Sequence, residues 1–275
     1  MGLRINNSSE AADARRSLAS SSGKLAQAMQ RLASGSRINA AADDPSGLGV
    51  SERMRAELAS IDQYQRSAYD GMAMADGADG AASRMQGILE RVRELAVQRN
   101  NGSLDDASKE AISAEVTQLN DELESVMDSS DPNGLKFLNV PGNAPVVTLQ
   151  IGLQEFDKIP VQGMDGPSAV GTAVSDFAAL GSGSGAPDIE AIDSALEQVR
   201  QYRSDMGATQ RRFESAASSL DVHRENLAAS ESQIRDVDVA KAVSDMTAEK
   251  IRQQSSIAMI AQANMSNGTV LKLLQ

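Results

Sequence analysis

Seven apolar residues spaced seven apart, Ile192, Val199, Met206, Phe213, Leu220, Leu227 and Ile234, constrain this chain more than any other feature. An α-helix returns every seventh side chain to nearly the same face, so the spacing predicts a helix of roughly 45 residues, about 65 Å long at 1.5 Å per residue. Arg203, Gln210, Arg224 and Glu231 occupy companion positions, so the seam is only partly apolar.

Other segments repeat the pattern. Ala11, Leu18, Leu25 and Leu32 are seven apart, with Ala14, Ser21, Ala28 and Gly35 three residues after each. A leucine stripe beside small residues suits close approach of a second helix. Met85, Ile88, Val92 and Leu95 step by three and four, as do Ile112, Val116, Leu119, Leu123 and Val126. Asn100-Asn101-Gly102-Ser103 between these runs supplies a helix stop and a turn. The two runs are expected to form a helical hairpin beside the long helix.

Six of the seven prolines and nine of the 21 glycines lie between residues 132 and 187. Proline removes a backbone donor and glycine raises the cost of ordering, so the long helices must flank this segment. Within it, Val147-Thr148-Leu149-Gln150-Ile151 alternates as a strand does, with Ile159-Pro160-Val161 as its expected partner. From Gly163 to Pro187, glycine, serine and alanine predict a loosely ordered surface loop. The chain has 275 residues but only seven aromatics, against 41 alanines and 34 serines. That inventory supplies a thick core poorly and suits thin helical packing. The expected fold is mainly α, an elongated helical coiled-coil bundle with a small central β-hairpin.

Chemistry is sparse. With no cysteine and His223 as the sole histidine, thiolate zinc sites, multi-histidine metal sites and cysteine nucleophiles are excluded. The net charge of −12 argues against generic nucleic-acid binding, and no apolar run is long enough to span a bilayer. The N-terminus has no apolar signal core. Asp43 and Asp44 are adjacent, a poor spacing for an acid/base pair. Asp44 is instead expected to cap a helix whose first residue is Pro45. Residues 61–131 carry six basic against fifteen acidic residues, expected to form a solvated face or to orient neighbouring subunits. The methionines read as packing residues. No catalytic residue, cofactor site or metal site is expected, and the chain is not read as an enzyme.

Leu32-Ala33-Ser34-Gly35-Ser36-Arg37-Ile38-Asn39-Ala40-Ala41-Ala42-Asp43-Asp44-Pro45-Ser46-Gly47-Leu48 resembles the N-terminal signature of bacterial flagellins. Arg91-Val92-Arg93-Glu94-Leu95-Ala96-Val97-Gln98, followed by Asn101-Gly102, resembles their next helix. Ser232-Gln233-Ile234-Arg235-Asp236-Val237-Asp238, Gln262-Ala263-Asn264 and Val270-Leu271-Lys272-Leu273-Leu274-Gln275 resemble their C-terminal signature.

The resemblance implies an extracellular filament subunit for swimming motility, exported unfolded and folded on assembly. It implies an inner-tube helix at 1–42 pairing with another at 238–275, around which 43–237 form a helical shell with an insert at 132–187. Leu18, Leu25, Leu32, Ile257, Ile260, Leu271 and Leu274 are the expected tube-packing residues. Met85, Ile88, Val92, Ile112, Val116, Leu119, Leu123, Val199, Met206, Phe213, Leu220, Leu227 and Ile234 are those of the shell. Implied partners are other flagellin subunits, the flagellar export apparatus and its chaperone, and filament cap and hook-junction proteins. Arg91, Leu95 and Glu115 match positions through which an animal Toll-like receptor recognises many flagellins; they also suit a subunit-packing surface. Neither nucleic acid nor membrane is an expected partner. The alternatives are a hook-filament junction protein of the flagellin-like family and an intracellular coiled-coil adaptor.

Overall fold

The computed structural model describes residues 9–128, 134–154, 156–171, 174 and 188–273. Among them are five α-helices, α1 (Ser9–Ser34), α2 (Pro45–Arg99), α3 (Asp106–Asp128), α4 (Ile189–Arg235) and α5 (Val239–Leu273). A two-stranded antiparallel sheet, β1 (Pro145–Gln150) and β2 (Lys158–Gln162), lies between α3 and α4 in sequence. The chain divides into two compact units, one of residues 1–58 with 225–275 and the other of 59–224.

The first unit is built on α1 packed along α5. Leu18, Leu25 and Leu32 are half-buried, and the seam between the helices includes polar groups. Ser21 and Ser256 are buried, the Ser256 hydroxyl meets that of Ser17 at 3.3 Å, and Gln253 Nε2 donates to Ser22 Oγ at 3.2 Å. Small hydroxyls let the helices approach while satisfying each other. Gly35 ends α1 with φ +69°, a conformation that favours glycine. There the two connectors meet: Arg37 N–H donates to the Arg235 carbonyl at 2.6 Å and Val237 N–H to that of Gly35 at 3.0 Å. These bonds form an antiparallel bridge between Ser36 and Asp236.

The acidic motif that follows organises the entry to α2. Asp43 Oδ2 accepts from the Asn39 and Ala40 N–H groups at 3.1 Å each, and Oδ1 accepts from Gln27 Nε2 at 2.7 Å. Those backbone bonds, led by Asn39, hold its carboxyl below the usual range. Asp44 Oδ1 accepts from Ser46 N at 3.1 Å and Gly47 N at 2.9 Å, with Pro45 the first residue of α2. A Cβ on Gly47 would lie 2.8 Å from Ile38 Cδ1, so the glycine admits the buried isoleucine.

The second unit holds the main core. Met85, Leu89, Val92 and Leu95 of α2, Ile112, Val116 and Leu123 of α3, and Ile192, Val199, Met206 and Phe213 of α4 are buried with Ile159 and Val161 of β2. Ile88 and Leu119 are partly buried against them. Gly71 of α2 gives Phe213 room: a Cβ there would lie 2.5 Å from the ring and 2.8 Å from Leu149 Cδ1. Polar residues beside the ladder reach acids of α2. Arg203 pairs with Asp79 at 2.9 Å, Gln210 Nε2 donates to Asp76 at 2.8 Å, and Arg224 pairs with Asp62 at 2.8 Å. The acid of residues 61–131 is therefore, in this part, a set of helix-to-helix ties as well as a solvated face.

The expected loose loop from Gly163 begins differently. Met164, Val170 and Val174 are buried in the core, and Pro167–Gly171 form a π-type turn. Gly163 and Gly166 mark close approach: a Cβ would meet Val140 Cγ2 at 2.4 Å in one and the Leu138 carbonyl at 2.2 Å in the other. Residues 175–187 lie outside the described residues.

Candidate assembly surfaces

Each helix shows where its own chain stops covering it. On α4, Ile192, Val199, Met206 and Phe213 are fully buried, while Leu220, Leu227 and Ile234 are only half-buried. The ladder thus continues beyond its intramolecular cover.

On α5 the imbalance is larger. Ala242, Met246, Gln253, Ser256 and Ile260 are buried or half-buried. Val239, Val243, Ile251, Ile257, Met259 and Met265 are exposed, from 42% at Val243 to 63% at Met259. Met29 of α1 is also exposed. The run Ile257-Ala258-Met259-Ile260-Ala261 has no polar side, and a helix apolar all round belongs in a buried setting. Of the expected tube residues, Ile260 is half-buried and Ile257 lies exposed outside the α1–α5 seam. Leu271 lies within α5 with its side chain outside the described residues, and Leu274 lies outside them altogether.

The exposed positions Val239, Val243, Ile251, Met259 and Met265 escape a reading based on repeat spacing because they share no single stripe. For Met259 the signal available was the scarcity of polar residues on α5 between Ile257 and Ala263.

The three residues matched to receptor recognition separate. Arg91 pairs with Glu115 of α3, Nη2 lying 2.8 Å from Oε1, and with Glu94 at 3.1 Å. Bonding to Glu115 first, and then to Glu94, raises the Arg91 pKa. Leu95 is only 2% exposed and belongs to the core, a correction to its expected place at a contact surface. Its position in the three-four repeat of α2 turns it inward, leaving Arg91 and Glu115 at the surface.

Paired long helices with short inter-helical ties, completed by apolar surface on the terminal pair, define an assembling helical protein. Residues 5–140 match the family model of the bacterial flagellin N-terminal helical region, and residues 189–274 that of the C-terminal helical region. The chain is 38% identical to a flagellin of Halalkalibacterium halodurans over 98% of its length and 99% of that protein's. It is 36% identical to the flagellar filament 30.7 kDa core protein of Treponema maltophilum, with 98% and 99% covered. A putative flagellar hook-associated protein from Vibrio parahaemolyticus shares the fold, with TM-score 0.61 at 15% identity, covering 70% of this chain and all of that one. The chain belongs to the bacterial flagellin family.

Proposed function

We propose that this chain is a structural, non-enzymatic subunit of the extracellular flagellar filament, and that its copies complete one another's terminal helix pairs. The observation that carries this reading is the exposed apolar surface of α5 on a helix already packed against α1. Covering the exposed part of each such side chain yields on the order of 1 kcal/mol, repeated at every subunit. Near-full-length identity to flagellins and a filament core protein favours the filament subunit over a junction protein or an intracellular adaptor.

Folding of the terminal pair is coupled to assembly. Ordering a residue costs about 1–2 kcal/mol of backbone entropy, and the narrow α1–α5 seam returns too little to meet that cost alone. A growing filament end supplies the missing helices. The reading includes export in an unfolded state through the flagellar apparatus with a chaperone, to which a chain free of cysteine presents no disulfide. It includes contact with cap and hook-junction proteins at the filament ends. The surface pair Arg91–Glu115 is offered to a Toll-like receptor in the monomer. A reporter-cell response to native monomer that R91A abolishes would support this last role; an equal response would remove it.

Electron microscopy of the concentrated purified chain tests the main reading. Long uniform fibres are expected, and a chain that stays monomeric at every concentration overturns it.

A further inference from the structure

A groove on the second unit has no role in the terminal pairing. One wall is Ile151 and the segment Phe156 to Ile159; the other is the flank of α4 at Arg211, Arg212, Ser215 and Ser219, enclosing about 510 Å³. Phe156 stands 80% exposed at this groove. Arg211 and Arg212 are exposed and pair with no carboxylate among the described residues, nor does the ammonium of Lys158. The acid in the wall, Asp157, is engaged by its own turn, accepting from Gln154 N–H at 3.2 Å. Arginines with no carboxylate partner among the described residues, beside an exposed phenylalanine, are the residue types enriched where proteins meet.

Helix α3 carries the opposite charge. Glu110, Asp121 and Glu124 lie along its exposed stripe, spaced eleven and three apart so that a helix brings them to one face. Among the described residues none of the three has a cationic partner. Groove and stripe are therefore two different, complementary surfaces of one unit.

We infer that the groove receives the acidic stripe of α3 from a second copy of this chain. The contact joins unlike surfaces, so each copy offers one of each and the interaction repeats head-to-tail without closing, as an open filament requires. This inference rests on the filament reading and adds to it a polar contact between shell units that sets their register.

Charge exchange in the full chain tests it. R211E/R212E alone, and D121K/E124K alone, are expected to raise the critical concentration for polymerisation about tenfold. All four substitutions together should restore it to within about threefold, because the four exchanged charges are then re-paired with reversed sign, Lys158 and Glu110 alone keeping theirs. Thermal melting of each monomer should match the native chain, since the positions are exposed. Native assembly with both charge-reversed variants, or a quadruple variant as defective as its parents combined, overturns the groove pairing and leaves the filament reading standing. A native chain that forms no fibres overturns both.

Discussion

Asp43 and Asp44 are neighbours that serve different stretches of backbone. Asp44 caps α2, while Asp43 reaches back to Asn39 and Ala40 and across to Gln27 of α1. Asp44→Ala should destabilise the first unit by about 1 kcal/mol, with Asp44→Asn nearly neutral, read as a shift in denaturant midpoint. Gly71→Ala presses a methyl group toward the Phe213 ring and Leu149. A cost of about 1–3 kcal/mol is expected in the same assay, and an unchanged midpoint would show that the ring yields. The Asp44–Pro45 geometry is readable from residue type alone, because a cap is a local matter. The reach of Asp43 to Gln27 is not, because it depends on how the chain folds back on α1; the burial of Leu95 was legible in the three-four repeat, and only the family resemblance pointed the other way.

Among the elements, α5 differs from α2, α3 and α4 in how many large apolar side chains it leaves exposed. Ile257→Asp should leave monomer melting nearly unchanged, because the terminal pair folds on assembly and the position is 54% exposed even in the folded pair. In the filament the same change buries a carboxylate, costing several kcal/mol at each subunit, so fibres should be absent by electron microscopy. Normal fibres would place Ile257 outside the interface. The ladder of α4 and the alternation of β1 were open to sequence reasoning because period and fold coincide there. The segment after β2 was misread because glycine serves two purposes. In Gly163 and Gly166 it permits close packing, so their composition looks loose while Met164, Val170 and Val174 between and beyond them are buried. Gly166→Ala, set against the Leu138 carbonyl, should destabilise the second unit by about 1–3 kcal/mol in chemical denaturation; a neutral outcome would favour the looser reading.

For the molecule as a whole, the carboxylates tie pH to stability. Asp43, held by N–H groups of Asn39 and Ala40, Asp165, held by Gly142 and Ser168, and Asp193, held by Arg93, all have lowered pKa values. The folded chain then binds fewer protons than the unfolded one. The stabilisation is fully present above the ordinary carboxylate pKa of about 3.9 and is lost as pH falls through the lowered values. Thermal melting across that range should show stability falling on acidification, with a shallower fall in Asp43→Asn; an identical slope would remove Asp43 from the account. The bridge at Ser36 and Asp236 has a topological consequence at this scale. It clasps the chain at two points far apart in sequence, making everything between them one closed loop with a fixed base. Loop-closure entropy rises only about 0.6 kcal/mol for each doubling of length. A loop closed in this way can gain or lose residues at little cost in closure entropy while the clasp keeps its geometry.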